Sequence, residues 1–351
     1  MKTPLSEEAN VTTEALMKAL RLAKSQAHLA IAVSDLDQSD PLLVTTGKIT
    51  DFADMAVNAA LSGTLASTGL QADGLFFAAL GKMGAGELNY SSDIDMAAFF
   101  DSDLFDCGDR DKVETASRIV RDAMRVLDQQ TGDGYVFRTD LRLRPDPSST
   151  PLAVSMRRAE LYYESVGQNW ERMVWIKGRP AGGDLKTGAA FLKMIEPFVW
   201  RRHLDYWAIA DVHAIKHMIN AKDGDKSLAD IAADVKLSAG GIREIEFFVQ
   251  TQQIILGGRN PDLRVRGTLD GLERLVALGA VDATTADDLA DAYRQLRAIE
   301  HRIQMLNDQQ THKLPSSEDV RADVAALCGQ SSLDAFDQAV LDIRRCVNHH
   351  Y

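Results

Sequence analysis
The spacing of apolar residues changes character along the chain. Over residues 6–34 they recur every three or four positions, which predicts a helix. A second helix is predicted over about 53–69. After Gly74 the pattern shortens. "LFFAALGKM" is a compact apolar run of the kind a buried strand shows, and "DIDMAAFFD" reads as a second strand. Residues 111–130 return to an amphipathic helical repeat, and "GYVFRTDLRLRP" reads as a third strand stopped by Pro145. Beyond Pro151 helical periodicity dominates. The stretch 223–241, with its glycines and charges, is the most loop-like interior segment. These elements predict an α+β protein: a small mixed sheet within a mostly helical chain, followed by a helical bundle. The expected division is a helical segment over 1–70, a sheet-bearing catalytic domain over 71–185 and a bundle over 186–351.

Composition narrows the function. With 351 residues, 45% of them hydrophobic, the chain can bury a large core. A net charge of -12 argues against broad nucleic-acid binding, which needs basic surface. Cys107, Cys328 and Cys346 lie far apart, without metal or disulfide spacing, which fits a reducing cytoplasm. No apolar run has the roughly 18 residues a membrane span needs, and the polar, acidic start is unlike a signal peptide.

The most chemically suggestive stretch is "GKMGAGELNYSSDIDM", residues 81–96. It fails as a phosphate loop, because no Lys-Ser/Thr follows the later glycines. It fails as a dinucleotide fingerprint on spacing. The aspartates account for it better. Asp93 and Asp95 stand two apart on a strand and so share one face, with Ile94 and Met96 on the other. Carboxylates this close repel unless a cation lies between them, and Mg²⁺ prefers such oxygen ligands together with substrate phosphates. The plainer alternative is a pair of surface aspartates at a strand start. In "FRTDLRLRP", strand alternation puts Arg138, Asp140, Arg142 and Arg144 on one face. Asp140 can complete a metal site, and the arginine forks suit phosphate oxygens. The alternative there is a solvated edge.

Leu80-Gly81, Asp93-Ile94-Asp95-Met96 and Thr139-Asp140-Leu141 resemble the polymerase-β-like nucleotidyltransferase pattern, with Lys82 where a small residue is usual. "RTDLRLRPDPSSTPLAVS", "YYESVGQNWERMVWIKGRPAGGD", "VKLSAGGIREIEFFVQTQQIILGGR" and "EHRIQMLNDQQTHKLP" resemble, in order, one narrower family. It is the family of bifunctional glutamine synthetase adenylyltransferase/adenylyl-removing enzymes. "YYESVGQNWER" and "GGIREIEFFVQ" are closer to its N-terminal, adenylyl-removing half. The resemblance implies phosphorolysis of adenylyl-tyrosine on glutamine synthetase, with inorganic phosphate consumed and ADP released, in control of nitrogen metabolism. It implies Mg²⁺ or Mn²⁺ on Asp93, Asp95 and Asp140, and nucleotide or phosphate at Gly81, Lys82, Ser92, Arg142 and Arg144. Lys236, Gly240, Gly241 and Arg243 stand where a loop enters a helix, an anion-favouring position, and the resemblance puts them beside the nucleotide. Two other readings share these motifs. One is adenylylation by ATP; the other is a non-catalytic module that binds glutamine synthetase or the PII protein.

Two further clusters are read mainly as packing. Trp170 and Trp175 are expected in the core, with Lys177 and Arg179 able to reach phosphate. His301 and His312 lack metal-ligand spacing, and their segment is read as helix packing. Arg243, Glu246, Gln250 and Gln253 form a polar stripe that faces either a cleft or water.

Overall fold
The computed structural model describes residues 12–37, 39–202, 228 and 230–351. The parts of the helix at 6–34 and the loop at 223–241 that fall on 1–11, 223–227 and 229 lie outside the described residues. Two long helices come first, α1 (Thr13–Leu36) and α2 (Leu42–Thr68). The second starts about ten residues before the predicted point. Its polar threonines hide that start: Thr46 and Thr50 are buried, and their hydroxyls donate to carbonyls of the preceding turn. It ends at Gly69 in a left-handed cap.

The sheet follows. Strand β1 (Leu75–Ala79) leads into the one-turn helix α3 (Gly81–Ala85), then β2 (Ile94–Phe100) and the amphipathic helix α4 (Lys112–Asp128). Strands β3 (Thr139–Asp140), β4 (Ala153–Ser155) and β5 (Arg179–Gly183) complete it, with α5 (Met156–Ser165) and α6 (Asn169–Ile176) between the last two. The order is β3-β2-β1-β5, with β4 also pairing β2. Strand β1 runs antiparallel to both neighbours, while β3 and β4 run parallel to β2.

Both faces of the sheet are covered, which explains why β1 is apolar throughout instead of alternating. Phe77, Ala79, Ile94, Met96 and Phe100 pack against α2 and α4. Phe76, Ala97 and Phe99 pack with Trp175, Tyr163 and Phe191 on the other side. The Phe99 and Phe191 rings stack at 4.3 Å, anchoring α7 (Leu185–Val199) to the sheet.

The remaining helices have their own core around Ile245, Leu272, Tyr293 and Val340. They are α8 (Ile242–Leu256), α9 (Thr268–Ala277), α10 (Ala283–Asn307), α11 (Glu318–Leu327) and α12 (Leu333–His350). One of them, α10, lies along the sheet unit. Arg302 pairs with Asp35 of α1, with Nη2 3.0 Å from Oδ1. Arg297 donates to Glu87 and Asn89, and Gln304 accepts from the Ser91 amide. These groups are buried, so polar side chains join the two cores. The three cysteines are unpaired. Among the described residues no helix is long and apolar enough to cross a membrane.

Candidate active site
The register of β2 and β3 builds the centre of the site. In this parallel pair Asp95 stands beside Asp140, and Ile94 beside Thr139. Ile94 and Met96 are buried in the core on one face, so Asp95 is directed to the opposite face, as alternation requires. Asp93, just before β2, lies on that side too. All three carboxylates line one cleft of about 530 Å³.

The glycines of the opening motif make room for this cluster. Gly81 has a φ of 50°, and a Cβ there would collide with the Asp95 carboxylate. Gly84 packs so closely on the backbone carbonyl of Lys177 that a side chain would not fit. The glycine-rich turn is therefore one end of α3, docked against the carboxylates, and not an open loop.

Electrostatics mark the cluster. Burial, then the Asp140 and Asp93 charges, push Asp95 up to about 6, with Lys236 and Lys82 opposing them. Asp140 is held below its ordinary value by the Arg142 guanidinium, whose Nη2 donates to it at 2.6 Å. Asp93 accepts from Arg138 Nε at 2.7 Å. Three oxygen-donor side chains, one of them carrying a destabilised charge, suit a hard divalent cation. In donor chemistry the set fits Mg²⁺ or Mn²⁺, although the three carboxylates do not all come within 4.8 Å of one another in this structure.

Cations and amides surround the carboxylates. Gly81, Lys82, Ser92, Arg142, Lys236 and Arg243, all singled out in the sequence, line the cleft. Arg144 is not among its lining residues. The strand ends at Asp140, and the turn that follows breaks the alternation expected through Pro145. Arg144 instead ties that turn together, donating to the carbonyls of Leu141, Pro147, Thr150 and Pro151. Gly241 caps α8 behind the lining residues, packed against the carbonyls of Lys236 and Ser238.

The other clusters divide. Trp175 is buried, with its indole N–H donating to Tyr163. Trp170 is 41% exposed and forms part of the cleft wall with Met173, Val174 and Phe247. Lys177 reaches the cleft but is paired with Glu246 at 2.6 Å. Arg179 points away, forked onto Asp54. Of the polar stripe on α8, Arg243, Glu246 and Gln250 face the cleft. Gln253 is buried and donates to the carbonyls of Leu263 and Val265.

Sequence reasoning missed the contribution of α10 and the segment after it. Gln304, Gln310 and His312 line the cleft. Behind them Glu300, fully buried, accepts from Lys82 Nζ at 2.7 Å and lies 2.7 Å from His312 Nδ1. The available signal was Arg297, Glu300 and Gln304, spaced to share one helix face and too polar for a packing face.

Comparison with known proteins gives two family matches. Residues 2–194 match the glutamate-ammonia ligase adenylyltransferase family, and residues 213–351 match GlnD PII-uridylyltransferase. The chain is 47% identical over 350 residues to a bifunctional glutamine synthetase adenylyltransferase/adenylyl-removing enzyme from Rhizobium meliloti. That alignment covers 96% of this chain and 36% of the relative. Similar enzymes from Caulobacter vibrioides and Mesorhizobium japonicum are 50% and 45% identical, covering 96% and 100% of this chain and 36% and 37% of the relatives. The chain thus spans little more than a third of the length of these curated relatives.

Proposed function
The chain belongs to the glutamate-ammonia ligase adenylyltransferase family, and from that premise we propose that it removes AMP from adenylylated glutamine synthetase by phosphorolysis. The observation that carries the nucleotidyl-transfer chemistry is the pairing of Asp95 with Asp140 across β2 and β3, with Asp93 beside them in one cleft. The direction rests on sequence: "YYESVGQNWER" and "GGIREIEFFVQ" resemble the adenylyl-removing half of such enzymes. The setting is the cytoplasm, with PII as the candidate regulator.

Asp93, Asp95 and Asp140 would hold the divalent cation, which when bound polarises phosphoryl oxygens and aligns attacking and leaving groups. Lys236, Arg243 and Lys82 offer positive charge to the phosphates. Arg142 is exposed and can exchange its Asp140 contact for an incoming phosphate oxygen. Met173, Val174, Phe247 and Trp170 supply an apolar wall for the adenine base. An oxygen of inorganic phosphate attacks the AMP phosphorus, the bond to the tyrosine oxygen breaks, and ADP departs.

The test is a pair of assays with labelled adenylate. We expect phosphate-dependent release of ADP from adenylylated glutamine synthetase and little transfer of AMP from ATP to the unmodified enzyme. Efficient transfer from ATP without phosphate-dependent release would reverse the direction. Inactivity both ways would favour a binding module.

A further inference from the structure
Among the cleft residues that the proposed reaction leaves without a task is a histidine. His312 lies just beyond α10, and its ring lines the cleft. Its Nδ1 is the shielded nitrogen, 2.7 Å from Oε1 of Glu300, an ion-pair distance at which no aligned hydrogen bond forms. Among the described residues no hydrogen bond occupies Nε2. Glu300 has 0% exposure. Burial alone would raise its carboxyl, but Lys82, His312, Arg297 and Lys236 outweigh that and keep it an anion. A buried carboxylate behind one imidazole nitrogen restrains the ring and leaves the other nitrogen to handle a proton. A chain of contacts links the dyad to the carboxylate cluster. The oxygen that faces His312 also accepts from Lys82, whose neighbour Gly81 packs on Asp95.

We propose that His312 is the acid–base catalyst of this site, with Glu300 as its positioning residue. The proposal rests on the phosphorolysis reading. Inorganic phosphate forms the new P–O bond while the P–O bond to tyrosine breaks. The bonding pair stays on the tyrosine oxygen, which takes the proton from His312 Nε2. The neutral ring regains its proton from water, and nothing is oxidised or reduced. In the reverse direction the same nitrogen takes the proton from the tyrosine hydroxyl.

Leaving-group acidity separates this role from a structural one. Glutamine synthetase carrying tyrosine or a fluorinated tyrosine at the modified position is adenylylated, and ADP release is followed with the wild type, His312→Gln and Glu300→Gln. The fluorinated phenol is more acidic and departs without a proton. His312→Gln should lower kcat on the tyrosine substrate by about 10²-fold or more. Most of that loss should disappear on the fluorinated substrate, with KM for phosphate little changed. Glu300→Gln should show a smaller loss with the same dependence. Equal loss on both substrates would overturn the proposal. The wild type gives an independent reading, because a catalyst that protonates the leaving oxygen responds only weakly to fluorination. A steep wild-type response would overturn the proposal even if neither variant folds. No ADP from the wild type on either substrate would overturn the phosphorolysis reading, and this proposal with it.

Discussion

Asp95→Asn is the most informative single change, because it should move stability and activity in opposite directions. In the metal-free protein Asp95 carries a charge that its surroundings resist, from burial and from Asp140 and Asp93. The rise from 3.8 to about 6 corresponds to about 3 kcal/mol at about 1.4 kcal/mol per pH unit. Asp95 is not fully shielded, so solvent removes part of that, and a gain of about 1–2 kcal/mol is expected for the amide at neutral pH. The sign follows from proton counts. Between the two values the folded state holds more protons than the unfolded one, so this residue's contribution to stability falls as pH rises. The advantage of Asn over Asp should therefore be near zero at about pH 4 and complete above about pH 7. Added Mg²⁺ should reverse it, since a ligand that binds only the native wild type stabilises that protein alone. Urea unfolding with EDTA and with saturating Mg²⁺, at several pH values, measures all of this, and turnover should fall by orders of magnitude. A variant no more stable than wild type in EDTA at pH 8, or equally active at saturating metal, would refute the reasoning.

Three further outcomes are expected. Gly81→Ala should cost about 1–3 kcal/mol, from its positive φ and the Asp95 collision, and should depress turnover by displacing that carboxylate; unchanged kinetics would deny the contact any role. Arg142→Ala should lower phosphorolysis about ten- to a hundredfold, while Thr139→Val, which loses only a hydrogen bond to Asp128, should change it far less; steady-state kinetics on both variants decide it. Arg302→Met leaves the buried Asp35 carboxylate without its guanidinium and should cost about 3–5 kcal/mol; a urea midpoint close to wild type would show that α1 and α10 are held by other contacts.

The first two strands were legible because their residues obey local rules, whereas β4 and β5 lie beyond Pro151, where helices were expected to dominate. The apolar run of β1 and the alternation through Ile94, Asp95 and Met96 each specify a strand and a face. Asp95 and Asp140 could be assigned to one site because both lie within regular backbone. The arginines beyond them could not. Once the strand stops at Asp140, side-chain direction depends on turn geometry, and Arg144 serves four backbone carbonyls that no pattern announces. The start of α2 was hidden for a related reason, since the buried Thr46 and Thr50 satisfy their hydroxyls within the helix and so read as polar surface. Trp170 shows the converse error: an aromatic residue expected in the core forms a cleft wall.

The contribution of α10 was invisible for a deeper reason. Its partners lie about two hundred residues away: Arg297 meets Glu87 and Asn89, Gln304 meets Ser91, and Glu300 meets Lys82. Each contact buries a charged or polar group that is costly to leave alone. Separating the helices from the sheet would break every one of these pairs at once, so the two cores hold each other at a fixed spacing. That spacing has a chemical consequence. The carboxylates come from the sheet and its edge, the dyad of Glu300 and His312 from α10 and the segment after it, and Lys82 bridges the two. A cleft assembled this way is complete only while the seam is closed. On the proposed chemistry, any partner that pried α10 from the sheet would therefore weaken the proposed phosphate binding and proton transfer together, without touching Asp93, Asp95 or Asp140.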